Sequence, residues 1–517
     1  MLRTKLTASA ALVAVLASTG CSGSVVDSLS TGSGAASGGS LTVLLQASPT
    51  ELTPASLQNS LQQTAFLGNA LYGNLVYEDA GSGEIEYSMA TDFSSTDGGT
   101  TFTLTLRDDL EYSDGTALTA GDVADNWDAI TADTTSSSQT VAATVASTTV
   151  LDDTHLQVVL TAATPAFAEQ IAASGLNWIA KPAALEAGDE ASDAAPIGAG
   201  PFTLDDWTGE GTIDLVRNDN YWNAPKPYLD ELHIVAVTDL DERVDALATD
   251  SAQLSMETEW AAAGQAEEAD LTVTRLPTSG GRFLAFNTRS SPFDDVAVRR
   301  AVAEAIDVEA LDEAVSSGAA ALVDTLFAPE SPLYDDVALQ TYDPDAAQEV
   351  FDRLAEAGAA LSFSFTTLSD ADRIVAEAVQ AQLAAYDVTV TIDERTPADA
   401  DAVYAQQDFQ MILGVSSFIA PGSSLSLAFA SSSSGNLSGL DDAELDEALA
   451  AAQTATTTEA QQEAYTTVAE RLAALTPVAW FTRVLSGTVS TAEVQGIVLD
   501  GATGSPLPED LWTTAET

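Results

Sequence analysis

Apolar and polar residues alternate over residues 101–106, with Phe102, Leu104 and Leu106 set between threonines, the period of a half-buried strand. Asp114-Gly115 then supplies the small polar pair that a tight turn uses. Thr119 follows as a helix N-cap, and Asp122 is placed to reach back as in a capping box and to meet the positive helix end. Upstream, residues 41–45 read as a short apolar strand that opens into a loop at residues 46–49. Residues 154–160 predict another strand, and residues 204–207 with 213–217 a hairpin, after which Tyr221 and Trp222 cover a core edge.

Between residues 275 and 281 the composition turns to Pro, Thr, Ser and Gly, and a second periodic region begins with a strand at 283–287. Asp294 or Asp295 caps a helix whose Val298, Ala301, Val302, Ala305 and Ile306 share one face. Ile374, Ala378 and Leu383 mark a helix leading to Val388, Val390 and Ile392 at strand spacing, the helix-then-strand unit of an α/β lobe. Residues 411–415 predict a short apolar strand that 416–421 leave as a loop. Helices at 442–451 and 459–475 precede an apolar run at 477–481.

At 517 residues, 45% of them hydrophobic, the chain is too long for one core and predicts two or more lobes. Seventeen Lys plus Arg against 78 Asp plus Glu give a formal charge of −61, which repels phosphate backbones and anionic headgroups. Nucleic acid is thereby excluded as a partner, and the acidic excess reads first as a solvated surface.

The N-terminus carries an address. Met1 to Lys5 form a basic segment, residues 6–17 are apolar but too short to span a bilayer, and small residues lead into Cys21, the single cysteine. A lone thiol has no internal disulfide and no thiolate metal site open to it. Its position after the apolar run resembles a bacterial lipobox, Ser18-Thr19-Gly20-Cys21, with Ser18 where lipoproteins usually carry Leu. The expectation is a signal peptide over 1–21 with lipid attached at Cys21, then a Gly/Ser-rich flexible tether over 22–40. An ordinary secretory signal is the alternative.

Catalytic motifs are missing from the letters. There is no G-x-S-x-G, no H-E-x-x-H and no Walker A; Gly198 to Phe202 lacks the Lys-Ser/Thr of a phosphate loop and reads as a turn into a strand. His155 and His233 sit apart in separate strands and make no metal cluster. No cofactor and no metal are expected. A secreted hydrolase using an unmarked pair among the 78 carboxylates stays open as a rival.

Several runs together resemble one family, the family 5 extracellular solute-binding proteins of ABC importers, the oligopeptide- and dipeptide-binding group. Residues 101–127, TFTLTLRDDLEYSDGTALTAGDVADNW, are similar to its LR…DG-x-x-(L/F)-TA-x-DV stretch. In the family's order come residues 69–76 (NALYGNLV), 83–85 (GEI), 89–93 (MATDF), 196–202 (PIGAGPF), 217–222 (RNDNYW), 286–287 (FN), 292–295 (PFDD), 298–301 (VRRA) and 342–347 (YDPDAA). The match is strong over roughly residues 41–350.

The resemblance implies an α/β fold with two lobes, like a type II periplasmic binding protein of the large kind with an extra subdomain. On this chain that places lobe I at 41–278 with an inserted subdomain at about 57–180, lobe II at 279–482, and a segment at 483–517 returning to lobe I. It implies a monomer at the outer face of the membrane that closes on a peptide or another small solute, such as an oligosaccharide or a nickel chelate, and passes it unchanged to permease subunits. The cleft residues expected are Gln46 and Ser48 at the first strand's end, Asn177 and Trp178, Ser416, Ser417 and Phe418, and Trp480. Phe418 and Trp480 would form an apolar wall. Peptide-binding members often carry an aspartate for the peptide amine where Ser417 stands, and a neutral hydroxyl lacks that charge-assisted bond.

Overall fold

The alternating segment forms a strand over Thr101–Leu106, with Phe102, Leu104 and Leu106 buried on one face. Past the turn, a helix runs Ala120–Ala132. Its cap is made by the carboxylate: Asp122 accepts the Thr119 backbone N–H at 2.7 Å and the Thr119 hydroxyl at 3.1 Å. The computed structural model describes residues 35–61, 64–185, 189–207, 211–276, 278–418, 421–455 and 457–515. Cys21, the signal segment and most of the tether lie outside the described residues, as do Ile419 and Ala420.

Three sheets organise the chain. The first has seven strands in the order Thr272–Arg275, Gly487–Ser490, Leu254–Glu257, Ser40–Leu45, Glu231–Ala236, Ile213–Arg217, Phe202–Trp207. Ser40–Leu45 is parallel to both neighbours. It is buried on both sides, Leu41, Val43 and Leu45 in one core and Leu44 in another, so its apolar run is nearly continuous. A second, antiparallel sheet of four strands spans Ala90–Ser95 to His155–Leu160 within the first lobe. Its core is an aromatic cluster of Phe93, Phe102, Trp127 and Phe167, and the Trp127 Nε1–H donates to the Leu176 carbonyl at 2.8 Å. The third sheet has five strands, Thr389–Glu394, Ser362–Thr367, Met411–Ser417, Gly280–Phe286, Val478–Trp480.

The helix capped by Asp295 buries Val298, Ala301, Val302 and Ala305 as its periodicity requires. Asp370–Ala384 departs from expectation in its face: Ile374 is exposed, and Val375, Ala376, Val379 and Leu383 are the buried stripe. Two strand residues also change status. Ser416 and Ser417 pair with Gly281 and Gly280 instead of starting a loop, because Gly280–Phe286 offers ladder partners to the end of Met411–Ser417.

Candidate ligand-binding cleft

Strand directions decide which edges meet. In the first sheet Ser40–Leu45, Glu231–Ala236 and Leu254–Glu257 are parallel, and Thr272–Arg275 runs the same way because both it and Leu254–Glu257 are antiparallel to Gly487–Ser490. In the third sheet Ser362–Thr367, Thr389–Glu394 and Met411–Ser417 are parallel, and Gly280–Phe286 starts at the edge where they end. The chain therefore passes from Arg275 to Gly280, and from Trp480 back to Gly487, between the carboxyl-end edges of the two sheets. In α/β sheets those edges are where ligands sit.

The crossover segments are fastened side by side. Leu276 N–H donates to the Ser486 carbonyl at 2.9 Å, and the Thr278 hydroxyl to the Val484 carbonyl. Arg483, 6% exposed, has its guanidinium on the carbonyls of Gly280 (3.3 Å), Thr325 (3.0 Å) and Phe327 (3.2 Å), while its own carbonyl accepts the Trp260 Nε1–H at 2.7 Å. Burial without a carboxylate in contact holds that guanidinium's pKa below its ordinary value, with Asp324 and Glu330 only partly opposing. Trp260 forms a small apolar cluster with Ala263 and Leu485, against which Val273, Ala319 and Ala320 pack. Neither Arg483 nor Trp260 was expected from the letters; the one sequence signal available for Arg483 is an arginine just past the apolar 477–481 run.

On the lobe I edge, the Gln46 amide donates to the Met256 carbonyl at 3.1 Å and accepts from the Thr258 hydroxyl at 3.2 Å, tying two strand ends together. Ser48 is exposed in the following loop. Beneath them, Arg243 and Glu257 form a fork of two 2.9 Å bonds with both side chains 1% exposed. The fork also reaches the Val237 and Thr238 carbonyls and so fixes a third strand end.

Asn177 and Trp178 do not line this edge. Trp178 is fully buried in the lobe I core, its Nε1–H on the Asn69 side-chain oxygen at 2.9 Å, against a helix that must carry Gly68 because a Cβ there would lie 2.3 Å from the ring. Asn177 pairs both ways with the Val76 backbone, at 3.1 and 2.9 Å. Both side chains are used up holding lobe I together.

Phe418 and Trp480 do come together, edge to face at 6.1 Å, but with Phe283 and Phe429 they form a cluster inside lobe II, 3% and 2% exposed. The expected apolar wall is therefore core in this structure, because the rings find each other before they find solvent. Ser416 and Ser417 are partly buried at the sheet's end, and the Ser417 Oγ is shielded with no hydrogen-bond partner. No hydrogen bond or ring contact among the described residues joins the Gln46–Ser48 side to the Ser416–Phe418 side. Nor do any three His, Cys, Asp or Glu side chains among them gather to hold a metal.

The sequence profile of the bacterial extracellular solute-binding proteins, family 5 Middle, matches residues 84–437. The chain belongs to this family. The glutathione-binding protein GsiB of Salmonella paratyphi A is 27% identical to it over 64% of this chain and 64% of that relative, so the alignment spans under two thirds of GsiB. Among solved structures, NikA from Brucella suis in complex with Fe(III)-EDTA superposes with a TM-score of 0.80 at 22% identity, covering 92% of this chain and 100% of NikA. DppA from Helicobacter pylori in complex with peptide STSA gives 0.75 at 21%, covering 93% and 99%. The family 5 fold, two α/β lobes of the periplasmic-binding-protein type, is thus present from end to end of the described chain. Among the described residues no helix is long and apolar enough to cross a membrane.

Proposed function

We propose that this family 5 protein captures a small solute between its lobes and delivers it, unaltered, to the permease of an ABC importer. The observation that carries this is the double crossover between the carboxyl-end edges of two sheets, a junction built to let the edges approach. A solute that touches both edges only in the closed state drives closure with its binding energy. Relatives and neighbours that bind glutathione, a peptide and a metal chelate support a peptide or peptide-like solute as the leading class. Ser417 favours a non-peptide or modified solute as the second, since it supplies no negative charge for an amine. Catalysis has no place in this reading, and the lipid at Cys21 would hold the mature protein at the outer membrane face.

The test is closure without chemistry. Glutathione, Ser-Thr-Ser-Ala and maltose are titrated into the purified chain while tryptophan emission and the scattering radius of gyration are followed. At least one should change the emission, chiefly through Trp260, and contract the particle, with mass spectrometry recovering it intact. An unchanged outline with all three, or a converted solute, would overturn the proposal.

A further inference from the structure

Among the described residues, Arg282 stands apart from the other cations that are withdrawn from solvent. Arg243 is on Glu257, Arg471 on Asp442, Lys226 on Asp510, and Arg299 and Arg483 on backbone carbonyls. Arg282 is partly buried, yet among the described residues its side chain has no hydrogen bond, no ion pair and no aromatic ring. A guanidinium withdrawn in part from water and left without an anion gives up hydration and receives nothing in return.

Its place in the sheet is defined by register. Arg282 lies opposite Val415, and Gly280 opposite Ser417, on the two antiparallel strands that end at the crossover edge. Pleat alternation puts Arg282 with Leu284 and Phe286, and Ser417 and Val415 with Leu413 and Met411. These are one face, because Leu284, Phe286 and Met411 share a single core against which Leu413 packs. Ser417 and Arg282 are thus diagonal neighbours, at the roughly 5–8 Å spacing of such pairs. Between them Val415 is 57% exposed, an aliphatic surface left open on a strand otherwise largely buried. An unpaired guanidinium fork, an orphaned hydroxyl and an uncovered aliphatic side chain form one small patch at the edge where the lobes meet.

We propose that Arg282 and Ser417 form a carboxylate-binding subsite, and that the solute carries a free carboxylate. This rests on the solute-binding reading above and narrows its chemistry. The fork matches a carboxylate through two parallel N–H···O bonds, and the Ser417 hydroxyl is a third donor. With 78 acidic residues against 17 basic ones, an anionic solute approaches a repelling surface, so a local guanidinium is needed to hold it. Val415 receives the solute's aliphatic carbon next to the carboxylate.

Matched pairs test it: Ser-Thr-Ser-Ala and its C-terminal amide, tri-alanine and its amide, glutathione and its diethyl ester, with maltose as the neutral control, each titrated into the full chain by calorimetry. At least one acid should bind about 10-fold or more tightly than its capped partner, the worth of a charge-assisted hydrogen bond. Arg282→Gln should lose about 10–100-fold on the acid and little on the capped form. Ser417→Ala removes a hydroxyl that has no partner to lose, and keeps the test open if the arginine variant fails to fold; it should weaken the acid about 3–10-fold. Capped forms binding as well as acids, or Arg282→Gln binding as wild type, overturns the subsite. If maltose alone binds, the subsite falls and solute capture stands; if nothing binds, both fall.

Discussion

Glu78 and Asp500 are two carboxyls packed against each other where a late loop folds back on lobe I. Asp500 is 1% exposed and accepts the Glu78 backbone N–H at 3.0 Å, the Ala502 N–H at 3.1 Å and the Thr503 hydroxyl at 2.9 Å. Burial still outweighs those bonds and raises its pKa to about 6. Glu78 is raised further, to about 8, by burial first and then by the charges of Asp500, Glu169 and Asp79. Both pKa values lie above their ordinary ones, so the folded state holds protons that the unfolded state releases. Stability is then fully present below about pH 4 and is lost as pH rises through 6 and 8. Chemical denaturation should find the protein less stable at pH 8 than at pH 5 by roughly 5 kcal/mol at most, with Glu78→Gln removing most of the difference. A pH-independent midpoint would mean these carboxyls are ionised in the fold. No local pattern announces the pair, since 422 residues separate the partners.

Local chemistry explains most of the elements. Asp295, Asp307, Asp343, Ser369, Asp442 and Thr457 each accept a backbone N–H at a helix start, and a capping residue is legible because its partner is at most three residues away. The crossover pair is a different kind of element, two irregular segments whose carbonyls converge on one guanidinium. Arg483→Ala strands the Gly280, Thr325 and Phe327 carbonyls away from their donor. It should cost about 2–3 kcal/mol in denaturant unfolding, and Arg483→Lys should recover only part, because an ammonium lacks the planar fork. Full recovery by lysine would show that charge alone matters there. A wider spread of interlobe distances in scattering of the alanine variant is the accompanying expectation.

For the whole molecule, the acidic surface and the N-terminal segment bear on where the protein works. A chain of formal charge −61 has little attraction for an anionic membrane and needs a covalent hold to stay on one. Two acyl chains supply such a hold where one does not. Cys21→Ala should therefore move the protein from the membrane fraction into the medium when cells are fractionated and immunoblotted. Equal retention of the variant would show that something other than Cys21 anchors it. The family motifs lie mostly in lobe I and at the start of lobe II, where turns, caps and buried aromatics leave few residue choices. The cleft is less legible: Trp178, Phe418 and Trp480 look like wall residues in the letters, yet their rings are core.

The sequence by itself determined what depends on near neighbours: strand and helix periods, caps, the tight turn at Asp114-Gly115, and through its ordered motifs the family. Tertiary structure alone decided what depends on segments distant in the chain. It placed Gly487–Ser490 between Leu254–Glu257 and Thr272–Arg275, turned both carboxyl-end edges toward the crossovers, closed rings into lobe cores, and left Arg282 without an anion. The reason is that burial and pairing are properties of what arrives from elsewhere. An aromatic or an arginine has the same local signature whether a distant strand covers it or leaves it open to a solute.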